Sequence, residues 1–255
     1  MKEYGTYHKG HYMKSDTNTR VYSNKTDAAG SAALRRESFL QRVLPKYMLV
    51  PLIILVVGNL TSYYGPHFIN VLLGRSYVNM SSRLDDKITV LPAFTIIYVL
   101  AFPFWYLITY YYLRKSGEHA FRFSLSNLSA KITCALIFIL IPSTLVRPAL
   151  TGSGLSVRLL SLIYRSDAPT NLFPSIHCLE SWFCFRCIYD ERGVPLLFKA
   201  VSFLFAVLIC MSTVFTKQHV LLDIPAGILV AELFWRLNSL HPIRRFNKKL
   251  GQLFM

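Results

Sequence analysis

"LLFKAVSFLFAVLICMSTVF" (residues 196–215) runs for twenty residues with a single charge, Lys199. Its apolar residues follow neither the alternation of a half-buried strand nor the stripe of an amphipathic helix, so every face would be apolar. About 20 such residues, wound as a helix, cross the hydrocarbon core of a bilayer. Five further apolar blocks flank this one, at Tyr47–Tyr64, Ile88–Leu113, Lys131–Val146, Pro174–Tyr189 and His219–Leu237. The blocks at 131 and 174 are the shortest and carry polar residues. Buried core helices of a soluble protein are the alternative, but the blocks at 47, 88 and 196 are too long and too apolar for it. With 53% hydrophobic residues in 255, the expected fold is all-α, a polytopic bundle of six transmembrane helices over residues 47–240. A basic tail precedes it at 1–46 and another follows at 241–255.

The net charge of +15 raises the question of a nucleic-acid partner, and its distribution answers it. If the N-terminus lies inside, cytoplasmic segments hold 21 of the 28 Lys and Arg residues. They fall in the tail through Lys46, around Arg114–Lys131, around Arg186–Lys199 and at the C-terminal end. That is the inside bias of short membrane loops, and it argues against nucleic acid. The basic run "RRFNKK" (244–249) would rest against anionic headgroups. Residues 1–46 are polar and lack the apolar core of a secretory leader. Residues 8–30 read as a disordered tail, and Ser31–Leu44 as an amphipathic helix on the inner surface. The cysteines at 134, 178, 184, 187 and 210 all lie in apolar blocks. Cys184 and Cys187 form a CxxC, but without a second pair or a histidine at zinc spacing they read as small buried apolar residues. The aromatic stretch at 103–113 reads as an interfacial belt.

Ionisable groups within or beside membrane helices are costly, so each is a candidate for function. They gather in three places: Arg147-Pro148 after the third block; Asp167, Asn171, Ser175, His177 and Glu180 at the entry to the fourth; and Lys217, His219 and Asp223 before the sixth. In the topology above all three lie on the outer face. His219 and Asp223 are spaced to share one helix face. A carboxylate there would fix the imidazole tautomer and leave the other ring nitrogen as base or nucleophile; a plain structural pair is the alternative. Pro174-Ser175 reads as a helix start, with Ser175 as cap and free N–H groups that attract phosphate. His177 in the first turn would donate a proton to a leaving oxygen, or else be a histidine wetted by the interface. Arg147 offers a planar fork for two phosphate oxygens, and Lys217 a point charge. Together these groups suit phosphoryl transfer, whose barrier falls through positioning and charge neutralisation. No acidic cluster suited to a metal accompanies them, and no cofactor is implied.

The three stretches "LIPSTLVRP" (140–148), "PSIH" (174–177) and "STVFTKQHVLLD" (212–223) resemble, in order and spacing, the KxxxxxxRP, PSGH and SRxxxxxHxxxD motifs of the type-2 phosphatidic acid phosphatase superfamily. The resemblance covers the whole apolar portion of the chain. It implies a six-helix membrane core and a lipid phosphate substrate. It also implies a phosphohistidine on His219 oriented by Asp223, protonation of the leaving alcohol by His177, and phosphate contacts from Arg147, Ser175 and the backbone at Ile176. The chain departs from the pattern where Leu140 replaces the motif lysine, Ile176 the PSGH glycine and Thr213 the third-motif arginine; Lys217 would restore part of that charge. "DAPTNLFPSIH" and "KQHVLLD" look closer to the branch that includes inositol phosphorylceramide synthase-like enzymes, for which a phosphodiester substrate would fit the lost charges. Asp167, Asn171, Glu180, Ser212 and Thr213 would surround the site. Glu180 would either tune His177 or satisfy another polar group in the bundle, and Glu232 would pair with Arg186 or Lys199. Three readings follow: a lipid phosphatase of the cell membrane with both termini cytoplasmic and its site outside; a phosphotransferase using the same residues; and a non-catalytic membrane protein on the same scaffold.

Overall fold

A computed structural model describes residue 39 and residues 41–254 of the chain. The chain divides at Pro45 into a leading unit and a compact unit from Lys46 onward, and the architecture below is that of the second. The disordered tail expected at 8–30, and most of the amphipathic helix expected at 31–44, lie outside the described residues.

The unit is mainly helical. A single 3-10 turn at Lys46–Met48 leads into α1 (Leu49–Leu72); a short β1 (Val78–Asn79) and α2 (Arg83–Lys87) follow. Then come α3 (Phe94–Leu113), α4 (Gly117–Leu140), β2 (Ser143–Thr144) and α5 (Leu155–Ser166). The last four helices are α6 (Ile176–Tyr189), α7 (Leu196–Phe215), α8 (Asp223–Leu237) and α9 (His241–Leu253). Four segments are long and apolar enough to cross a membrane: 46–72, 94–113, 117–140 and 196–215. Their outer faces are bare of cover and apolar, with Ile53, Val56, Phe68, Leu100, Leu107, Leu136 and Leu204 all exposed. In water such a belt would associate; in lipid it is solvated.

α6 and α8 are different. At 14 and 15 residues they rise only about 21–23 Å, short of a bilayer core of about 30 Å. α6 is the centre of the bundle. Cys178, Leu179, Phe183, Cys184, Cys187 and Ile188 are all buried, packed among α3, α4, α7 and α8. A helix enclosed on every side needs no polar face, and its cysteines serve as small packing residues. Trp235 of α8, Tyr112 of α3 and Phe123 of α4 complete this core.

The structure moves several boundaries. α1 runs eight residues beyond Tyr64, and α3 starts at Phe94 rather than at Ile88. α4 begins at Gly117, capped by Ser116 through the His119 N–H at 3.3 Å, well before Lys131. Arg122 and Lys131, counted above as loop charges, are therefore helical. Lys131 is 1% exposed and lies inside the bundle, so it contributes nothing to an inside charge bias. α8 begins at Asp223, leaving His219 in the preceding turn. The basic end at 241–255 is a helix from His241 to Leu253, with Pro242 in its first turn.

Candidate functional site

Packing of β1 and β2 fixes the loop that precedes α6. The two strands pair in parallel, Val78 with Ser143 and Asn79 with Thr144. Ser143 Oγ accepts the N–H groups of Leu172 (2.8 Å) and Phe173 (2.9 Å), and Thr144 Oγ1 donates to the Pro169 carbonyl at 2.6 Å. The chain is thereby delivered to Ser175, which caps α6 by accepting the Cys178 N–H at 3.3 Å. Ser175 N–H in turn donates to the Asp223 carbonyl at 3.3 Å. A Cβ on Gly227 would stand 2.4 Å from the Ser175 carbonyl, so only glycine lets α8 approach this closely. The starts of α6 and α8 are thus locked together, and Ser175 is fully buried.

Within this junction His219 Nδ1 lies 3.0 Å from Asp223 Oδ2, and the same carboxylate oxygen accepts the Val220 N–H at 3.0 Å. The contact fixes which ring nitrogen faces the carboxylate and leaves Nε2 as the one turned elsewhere. The histidine is held by its backbone as well, since its N–H donates to the Thr213 carbonyl at 3.1 Å. Asp223 is fully buried, at the first position of α8, where the helix dipole favours a carboxylate. Across from it stands His177, its ring centre 5.7 Å from that of His219. The His177 Nε2 is buried with no hydrogen-bond partner. Three aromatic rings of α3 enclose it: Tyr98 stacked at 4.6 Å, Trp105 at 5.3 Å and Phe102 at 6.2 Å. Spaced three and four residues apart along α3, they share one face. Trp105 belongs to the stretch 103–113 expected as an interfacial belt but packs against His177; Tyr98 and Phe102 carried a readable spacing that pointed to the same face.

Arg147 does not sit at a helix end. It lies beyond β2, with its guanidinium stacked 4.7 Å from the centre of the Tyr164 ring. Nη1 donates to the Asp167 carbonyl at 2.6 Å, Nη2 to Gln218 Oε1 at 2.6 Å, and Nε to the Lys217 carbonyl at 3.4 Å. It therefore braces residues 217 and 218 immediately before His219. Gln218, also not singled out in the sequence, is the side chain that joins Arg147 to the histidine turn. Asp167 is bound through its side chain too, accepting from Tyr63 Oη of α1 at 2.5 Å.

The other expected site residues divide. The Lys217 ammonium reaches the Asp85 carbonyl at 2.6 Å, while Asp85 Oδ1 accepts the Leu221 N–H at 2.7 Å. Lys217 and Asn171 both have positive φ, 50° and 57°, a region costly for side chains other than glycine. The hydroxyls of Ser212 and Thr213 turn back to carbonyls of their own helix at 2.7 Å. Ile176 is the first residue of α6. Leu140 ends α4 with its side chain exposed. Glu180 turns away from His177 and pairs with Lys131, while Asn127 Nδ2 donates to it at 2.8 Å; Asn59 of α1 accepts from the same lysine. Glu232 pairs with Arg186 at 3.0 Å, and Lys199 goes to the Tyr189 carbonyl instead.

Among the described residues no three His, Cys, Asp or Glu side chains converge in the manner of a metal site. No family model matches this chain, and neither a curated protein nor a solved structure does.

Proposed function

We propose that the protein is an integral-membrane enzyme, a bundle of six helices counting α6 and α8, that hydrolyses a lipid phosphate monoester or pyrophosphate. The observation that carries the reading is the His219–Asp223 contact at 3.0 Å facing a second imidazole, His177, whose Nε2 has no hydrogen-bond partner. Binding alone does not call for an oriented nucleophile and a separate proton carrier. In the reaction His219 Nε2 attacks phosphorus, the P–O bond to the lipid breaks, and the leaving oxygen takes a proton from His177. Water then attacks the phosphohistidine, giving its proton to His177 as the P–N bond breaks. Asp223 stabilises the positive charge on His219. Ser175 and the first N–H groups of α6 supply the dipole toward phosphate, and Arg147 acts chiefly by holding the turn that carries His219.

A second reading is favoured by one observation. The Arg147 guanidinium is already engaged by four neighbouring acceptors, the carbonyls of Tyr164, Asp167 and Lys217 and Gln218 Oε1, which leaves little free positive charge for a dianionic monoester. A phosphodiester carries one charge fewer, and its transfer to a lipid alcohol would use the same histidines. Purified protein in detergent, given a panel of lipid phosphates and diesters, separates the two. Free phosphate that disappears in His219→Ala supports the phosphatase; a new phospholipid without free phosphate supports the transferase. Silence across the panel in wild type would leave a non-catalytic scaffold.

A further inference from the structure

The opposite end of the bundle carries a second polar construction that the histidine chemistry does not use. α6 leads from His177 at one end to Tyr189 at the other. There the α3–α4 turn, the α6–α7 turn and α9 meet. α9 has three stripes. Ile243, Asn247, Leu250 and Gly251 face inward, and the last packs backbone to backbone on Gly117, where an added Cβ would lie 2.5 Å from the opposing carbonyl carbon. Phe246 and Leu253 form an exposed apolar stripe, 55% and 77% accessible. Between these lies a basic stripe of Arg244, Arg245 and Lys248.

The basic stripe walls a groove of about 360 Å³ lined by Glu118, His241, Arg244, Arg245 and Lys248. Its one carboxylate is taken, because Arg244 Nε donates to Glu118 Oε1 at 2.8 Å. Arg245 and Lys248 have no ion-pair partner among the described residues. A groove with three permanent cations beside an apolar stripe has the chemistry of an interfacial helix that captures an anionic lipid.

We infer that the groove between α9 and the start of α4 binds one inner-leaflet phospholipid with a multiply charged, phosphomonoester-bearing headgroup. The headgroup lies on Arg245 and Lys248, and the acyl chains run along Phe246 and Leu253. The sequence suggested only loose contact of a basic tail with headgroups; the structure makes the tail a docked helix with a defined cleft. The inference stands apart from the phosphoryl-transfer reading.

The test uses full-length His219→Ala protein in neutral detergent, so that turnover at the histidine site cannot consume the probe. Binding of dioctanoyl phosphatidylinositol bisphosphate is compared with that of dioctanoyl phosphatidylcholine and of inositol trisphosphate. The expected result is binding of the bisphosphate lipid alone. It should weaken at least about tenfold in R245Q/K248Q, whose substitutions are at exposed positions, given the attraction each basic residue supplies. Phe246→Ser should weaken it as well while leaving the melting temperature unchanged. Equal binding of phosphatidylcholine, or undiminished binding in R245Q/K248Q, would overturn the proposal. Inositol trisphosphate binding as tightly as the lipid would also overturn it, making the groove a site for a soluble anion.

Discussion

His219 and Asp223 touch at 3.0 Å although only Asp223 belongs to a helix. The histidine reaches the carboxylate from a turn that Thr213 holds through two backbone hydrogen bonds, to Gln218 and His219. A turn fixed on both sides positions a ring more firmly than a free helix face would.

Asp223→Asn tests that relationship. The amide keeps the size but loses the charge that orients the ring and stabilises its protonated form. Turnover should fall by about 10²–10⁴-fold, as for related orienting carboxylates. Size-exclusion chromatography should show the variant eluting as wild type does.

The Lys131–Glu180 pair should show strong coupling. Lys131→Met leaves an uncompensated carboxylate in the bundle and should destabilise by about 3–5 kcal/mol. The double variant K131M/E180L removes both charges and should recover most of that loss. Denaturant titration in mixed micelles reads the difference, and additive losses would show that the pair is not coupled.

Gly227→Ala should harm both fold and activity, because its methyl would collide with the Ser175 carbonyl at 2.4 Å. We expect at least about 1–3 kcal/mol of lost stability, with lower turnover in the protein that remains folded. Gly65→Ala, in α1 with no atom within 4 Å of the added carbon, should be neutral or slightly stabilising.

Glu191 gives a pH-dependent signal at the end of the bundle far from His177 and His219. Burial raises its pKa, but hydrogen bonds and charge from Lys115 and His119 outweigh that and hold it below the ordinary 4.5. A carboxyl lowered in the folded state contributes stability above its unfolded pKa and loses it as pH falls through the folded one. The melting temperature of wild type should therefore exceed that of Glu191→Gln near neutral pH. The two should converge as the pH drops below 4.5. A gap that persists unchanged in acid would contradict the assignment.

Legibility from sequence followed the physics of each segment. Leu196–Phe215 was read residue for residue because Lys199, near its start, is the only charge that interrupts its apolar run. The first half of α4 was missed, since Glu118 and Arg122 look like loop charges until Arg244 of α9 pairs with the first and Asp190, Ser239 and the Trp235 ring of α8 engage the second. Lys131 looked like a loop charge because burial of an amine depends on Glu180 and Asn59, far away in the chain. The residues of the histidine junction were visible as types, and His177, His219, Asp223 and Ser175 do come together. The role of Arg147 was not visible, because three of its four anchors are backbone carbonyls, which carry no sequence signature. The sequence showed 241–255 only as a basic tail, because nothing in that run of charges signals the packing of Gly251 on Gly117.

The central claim is that His219 carries the phosphoryl group. Purified wild-type protein should be mixed with a lipid phosphate that it turns over, quenched within the first turnovers under conditions that preserve phosphohistidine, and mapped by mass spectrometry. The account predicts phosphate on His219, its accumulation in a variant lacking the His177 imidazole when an activated leaving group is used, and its absence in His219→Ala. Turnover with no phosphate on His219, or undiminished in His219→Ala, would contradict it.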